Sequence, residues 1–258
     1  THVANTPRIG LAGEENARAI LGTVPVEPDG SARFLLPAGR PVLFQALDRE
    51  GFVRRTMRSS TYVQPGEVTS CVGCHEYGTS TPSSPGGATL AARRPPSAIS
   101  PGALGGRPFS FVEVVQPVLD RRCTGCHSGA KPRAGLDLSG TPHDGFTRSY
   151  WSLCGNTANT WRGRRDHPEV DSTDLVPRYW QRNQIQVTPP DDLRSARRSR
   201  LIRMLTGTKP HQDVRLTASE IRRLAAWIDL NAIFYGTYDP GEQARQLAGE
   251  VVPMPEIP

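Results

Sequence analysis

The chain has 258 residues, a formal net charge of +6 and a hydrophobic share of 36%, enough for one large domain or two small ones around a modest core. Its 24 prolines are nearly twice the usual share of about 5%, so many irregular connections are expected. No run of about 18 apolar residues exists to cross a membrane as a helix.

The residues from Glu14 to Leu21 could form a short helix. Four extended runs follow at hairpin spacing: Leu21–Val26, Ala32–Leu36, Val42–Leu47 and Phe52–Val63. The turn residues between them have a mechanism: in Pro28-Asp29-Gly30, proline presets φ and glycine supplies a positive one. The pattern predicts a small antiparallel β-sandwich-like domain over residues 1–76. Residues 77–107, with Thr81-Pro82-Ser83-Ser84-Pro85-Gly86-Gly87, Arg94-Pro95-Pro96 and Ser100-Pro101-Gly102, hold few groups able to build a core and are expected to be a linker or a wrapping loop.

Helical periodicity begins at Ser110. Ser110 with Glu113 makes a capping box, and Phe111, Val114, Val115, Val118 and Leu119 share one face. Pro117 requires either a short first turn or a kink. Thr217-Ala218-Ser219-Glu220 is a second capping box, leading into Ile221, Leu224, Ala225, Trp227 and Ile228 and ending at Asn231. A further helix is expected from Asp192 to Leu205. Ser128–Pro190, with Tyr150, Trp151, Trp161, Tyr179 and Trp180, is long and irregular. These segments predict a mainly helical domain over residues 108–240 and a tail over 241–258.

Two copies of one motif punctuate this arrangement, Cys71-Val72-Gly73-Cys74-His75 and Cys123-Thr124-Gly125-Cys126-His127. Two thiols three positions apart can both form thioethers to one porphyrin edge while the following histidine reaches the iron, so each copy reads as a c-type haem attachment site and the pair predicts two covalently attached haem c groups. A four-cysteine zinc site is the rival reading, but 48 residues separate Cys74 from Cys123, against a usual interval of about 12–20, and zinc needs no histidine after each pair. Thioredoxin-like chemistry would place one such pair at a strand-to-helix junction of a βαβ unit, and neither pair has that context.

Four histidines remain as further iron ligands: His2, His143, His167 and His211. His211, on the stretch before the last predicted helix, is the candidate second ligand for the haem at His127, with Met204 as competitor inside a helix. For the haem at His75, Met57, Tyr77, His143, His167 and an open position all stay available. That choice decides whether the iron passes electrons only or also binds a small molecule. Cys154, the fifth cysteine, reads as a buried apolar thiol.

A helix running into Cys123–His127 resembles the opening of the cytochrome c fold. The runs Gly22–Val26, Leu36–Gly39, Gln45–Asp48, Met57–Ser59, Tyr62–Glu67 and Cys71–Glu76 resemble the middle domain of hydrazine synthase alpha-subunit-like proteins. Val115–Asp120, Cys123–His127 and Trp227–Asn231 resemble the cytochrome c domain that follows it. The resemblance implies an α+β chain: a β domain carrying one c-type haem, then a helical cytochrome c-like domain carrying a second, with long irregular loops. It also implies Tyr77 on the iron of the first haem and His127 with His211 on that of the second.

The reading is a di-haem electron-transfer cytochrome acting with redox partner proteins, as a subunit or module of a larger assembly. A haem enzyme acting on a small nitrogen or oxygen compound at the first haem is the alternative, and a structural module stapled by its haems a third. Covalent haem attachment takes place outside the cytoplasm in bacteria, so a periplasmic or otherwise extracytoplasmic location is expected. Thr1 in place of Met fits a processed chain or a fragment. The run holding Arg194, Arg197, Arg198, Arg200 and Arg203 has no nucleic-acid fold signature beside it, so it is read as a solvated face or a docking surface for an acidic partner.

Overall fold

Strand pairing in the first third of the chain departs from a sandwich. The computed structural model describes residues 6–11, 16–57, 60–73, 87–154, 175–176, 195–208 and 211–254. Among them the sheets are two-stranded and antiparallel. Strand β1 (Gly22–Thr23) pairs not with its sequence neighbour but with β4 (Ser100–Pro101), while β2 (Gln45–Leu47) and β3 (Val53–Thr56) form a hairpin with an irregularity after Ala46. Of the other predicted strands, Ala32–Leu36 keeps only the single bridge Phe34↔Ser97, and Val42 bridges Thr61. The alternation of apolar and polar residues marks extended chain, but it does not name the partner, and here residues 87–107 compete for the edges. Arg94 pairs with Glu27 and Asp29 accepts the Leu90 N–H, so this stretch wraps the strands. Gly22 sits at φ 145° with the Ser100 carbonyl where a side chain would begin, which is why only glycine fits. Asn16–Leu21 is not helical; Ala19 bridges Pro108 and the Arg18 carbonyl accepts the Phe109 N–H.

The helical part follows the predicted starts closely. Helix α1 (Phe111–Val114) is capped by Ser110, whose hydroxyl accepts the Glu113 N–H. Glu113 turns away to Arg107 instead of closing the box. The chain restarts as α2 (Gln116–Arg122) with Pro117 in its first turn, where a missing N–H costs nothing. Helix α3 (Arg148–Cys154) was not expected: residues 149–154 are all buried, so no polar face gives it a period. Residues 192–194 of the helix expected from Asp192 to Leu205 lie outside the described residues, and the rest is split, with a 3-10 turn at Ala196–Arg198 and α4 (Arg200–Thr206) begun afresh by Ser199, whose hydroxyl accepts the Ile202 N–H. Helix α5 (Ala218–Asp229) has the full reciprocal capping box of Thr217 and Glu220. Helix α6 (Pro240–Leu247) lies across the boundary expected at residue 240 and is capped by Asp239.

The core is an aromatic hub. Phe111 meets Tyr150, Trp227 and Phe234 at ring-centre distances of 5.3, 5.1 and 5.1 Å, and Phe146 stands 5.1 Å from Tyr150, all within the range in which rings attract edge to face or offset. The polar handles are satisfied on the main chain after α5: Trp227 Nε1 donates to the Ile233 carbonyl at 3.0 Å and the Tyr150 hydroxyl to that of Ala232 at 2.6 Å. The amino-terminal segment closes the hub, since the Ile9 carbonyl accepts both the Phe234 and Tyr235 N–H groups. Cys154 is fully buried within this core.

The β2–β3 hairpin is fastened to the helical part. The Asp229 carboxylate accepts the Ala196 N–H at 2.8 Å and the Val53 N–H at 3.2 Å, and Gln45 Nε2 donates to the Asp229 carbonyl. Arg197 pairs with Asp48 and Glu50 and lies 4.9 Å over the Phe52 ring. One arginine of the basic run is thus engaged within the chain.

Candidate functional site

Around Cys123–His127 the residues arrive from three directions. Helix α2 ends at Cys123, whose N–H donates to the Leu119 carbonyl, and the chain curls so that the Cys126 and His127 N–H groups both donate back to the Cys123 carbonyl. This tight curl leaves Cys123 half-buried against the core and Cys126 exposed. Burial, with Cys126 and Glu220 adding to it, raises the Cys123 thiol to about 11, so it is neutral at ordinary pH.

His127 is held by the backbone beyond it. Its Nδ1 lies 3.1 Å from the Arg133 carbonyl, which can only accept, so Nδ1 carries the hydrogen and the Nε2 lone pair is left for a metal. The His127 carbonyl accepts the Leu138 N–H at 2.7 Å, and the Leu138 carbonyl accepts from the buried Gln116 side chain. Gln116 is in turn fixed by Ser149 and Asp120. The loop carrying His127 is therefore tied to α2 and α3 through one buried amide.

The structure places His211 opposite. Its ring centre is 5.9 Å from that of His127, with an angle of 23° between the rings. An imidazole nitrogen sits roughly 2 Å from a metal it ligates, so two rings gripping one ion end-on have centres on the order of 6 Å apart. Both rings are half-buried. The donor types present, two imidazoles and two thiols, are those that a covalently held metalloporphyrin would use. Among the described residues no cluster of three or more His, Cys, Asp or Glu could hold a bare ion.

Glu220 stands behind the motif. Hydrogen bonds from Arg122 first, then from Thr217, hold this buried carboxyl down to about 2, and they tie the end of α2 to the start of α5. The folded value lies below the ordinary 4.5, so the stability it contributes is complete above pH 4.5 and is lost as pH falls through about 2. Glu220→Gln should remove that acid-side slope, as read by urea unfolding between pH 2 and 5.

The remaining candidates lie apart or out of view. Cys71 is exposed, on the chain following Val63; Cys74, His75 and Tyr77 fall outside the described residues, as do His2 and His167. Met57, half-buried, follows β3 and donates its N–H to the Phe44 carbonyl. His143 stands edge-on to Trp151, its carbonyl accepting the indole N–H. Met204 packs against the core. The Arg133 carbonyl and the Gln116 relay were missed at the sequence level: a main-chain acceptor leaves no signature in residue type, and Gln116 reads as one more helical polar residue.

No curated protein and no solved structure matches the chain. Residues 6–76, a stretch that includes Cys71–His75, match the family model of the hydrazine synthase alpha subunit middle domain.

Proposed function

We propose that this chain is a di-haem c-type cytochrome that passes electrons within an extracytoplasmic redox assembly, with other subunits or soluble redox proteins as partners. The observation that supports the reading is the pair His127 and His211, with ring centres 5.9 Å apart, and the Nδ1 of His127 anchored so that its Nε2 is available. Cys123 and Cys126 would hold one haem, with His127 and His211 as its axial ligands; Cys71, Cys74 and His75 would hold the other. Haem supplies reversible one-electron exchange at a potential set by ligands and burial. The chain's own part is to fix those ligands. The Arg133 carbonyl sets the His127 tautomer, Gln116 holds the loop, and the Glu220–Arg122 pair fixes the two helices that frame the motif.

The match over residues 6–76 favours a second reading, in which the haem at Cys71–His75, with Tyr77 near the iron or with an open position, acts on a small nitrogen or oxygen compound while the haem at His127 relays electrons. Intact mass and an electronic spectrum test both. Protein matured in a host that attaches haem c should exceed the polypeptide mass by two haems. A mass equal to the bare chain would overturn both readings. A reduced spectrum that is wholly low-spin and unchanged by carbon monoxide would remove the second.

A further inference from the structure

The two facing histidines are unequally supported. His127 has its second ring nitrogen on the Arg133 carbonyl and its own carbonyl on the Leu138 N–H. Among the described residues the His211 ring, its centre 5.9 Å from that of His127, makes no hydrogen bond. A metal-bound imidazole almost always donates its other N–H, and losing that partner typically weakens the bond 10- to 100-fold. The backbone beneath His211 adds to the imbalance. Gln212 at φ 48° and Asp213 at φ 61° are consecutive exposed non-glycine residues in the left-handed region, in a single 3-10 turn at His211–Asp213. Such conformations persist only where the surroundings enforce them, and an exposed turn enforces little. The Val214 N–H on the His211 carbonyl closes this turn, and a metal on His211 would pull against its left-handed residues.

Resting on the di-haem reading, we propose that His211 is an exchangeable ligand, and that the position it takes opposite His127 is a binding site for a small uncharged donor of the carbon monoxide type. With a haem held at this site, His211 would leave with its lone pair and the turn would relax, while the entering molecule would bring its own lone pair, with no proton or electron changing hands. His127 stays in place because its second nitrogen and its loop are both anchored.

The test uses the haem-loaded, reduced full chain mixed rapidly with carbon monoxide, with its mass measured on the same sample. One spectral phase should reach a rate that saturates with carbon monoxide concentration, because departure of His211 limits it. His211→Ala should make that phase linear in concentration and at least tenfold faster. The double variant Gln212→Asn, Asp213→Asn should slow it about fivefold and weaken carbon monoxide binding to match, since asparagine accepts the left-handed region with less strain. A phase that neither variant changes belongs to the other haem. If no phase responds to either variant while both haems are present by mass, the proposal fails and the cytochrome reading stands. If the mass shows no haem, the cytochrome reading itself fails.

Discussion

Trp227→Ala should lower the unfolding free energy by about 4 kcal/mol, the range for emptying a fully buried large aromatic site. Trp227 is 0% exposed and stands 5.1 Å from Phe111 at the centre of the ring cluster. Truncation removes that contact, opens a void between α1 and α5, and strands the Ile233 carbonyl that the indole N–H satisfies. Tyr150 and Phe234 are themselves packed on Phe111 and cannot move in to fill the void without losing those contacts. Trp227→Phe, which keeps a ring but not the N–H, should cost less than half as much. Guanidinium unfolding followed by circular dichroism reads both variants, and equal midpoints for Trp227→Ala and the parent would show that the hub is not the stabilising centre.

Asp229 should produce an effect of similar size with an unusual dependence on pH. Its carboxylate satisfies two buried N–H groups, those of Val53 and Ala196, so Asp229→Ala leaves both without an acceptor and should cost about 3 kcal/mol. Burial dominates its titration and raises it from 3.8 to about 6, against the opposing pull of the two N–H groups and Arg197. Because the folded value is the higher one, the folded chain holds a proton that the unfolded chain has released between pH 3.8 and about 6. The stability from that proton is complete below pH 3.8 and is lost as pH rises through about 6. Asp229→Asn cannot titrate, so its stability deficit relative to the parent should shrink as pH rises from 4 to 7. Paired urea titrations across that range measure this, and a deficit that grows with pH would reverse the sign of the assignment.

What could be read in the sequence was whatever is encoded locally. Ser110 and Thr217 announced the starts of α1 and α5, and Pro117 announced the break between α1 and α2, because caps and proline act within one turn of themselves. Helix α6 carried the same kind of signal in Asp239-Pro240 with Glu242, which the expectation of a tail passed over. Helix α3 carried none, being buried on every side over residues 149–154. The sandwich expectation failed on partner choice. Runs such as Leu21–Val26 announce extended chain, but β1 finds its mate some eighty residues later, in a stretch whose glycines and prolines suggested a linker or a wrapping loop but not a strand. Within the site, spacing singled out the cysteines and histidines as candidates, and the rings of two of them, His127 and His211, lie 5.9 Å apart. The Arg133 carbonyl and the left-handed turn at Gln212–Asp213 were not so marked, because both are properties of backbone conformation fixed by the fold.

The pairing of β1 with β4, the Ile9 carbonyl under Phe234 and Tyr235, and the Val53 N–H on Asp229 share a consequence for heredity. At these three places the segment that matches a family model is completed by chain lying well beyond residue 76. The end of the matched segment is therefore not a boundary of folding. Residues 6–76 could be inherited or recombined as a unit only if the recipient supplied a strand at β4, a carboxylate at Asp229 and two free N–H groups at 234 and 235.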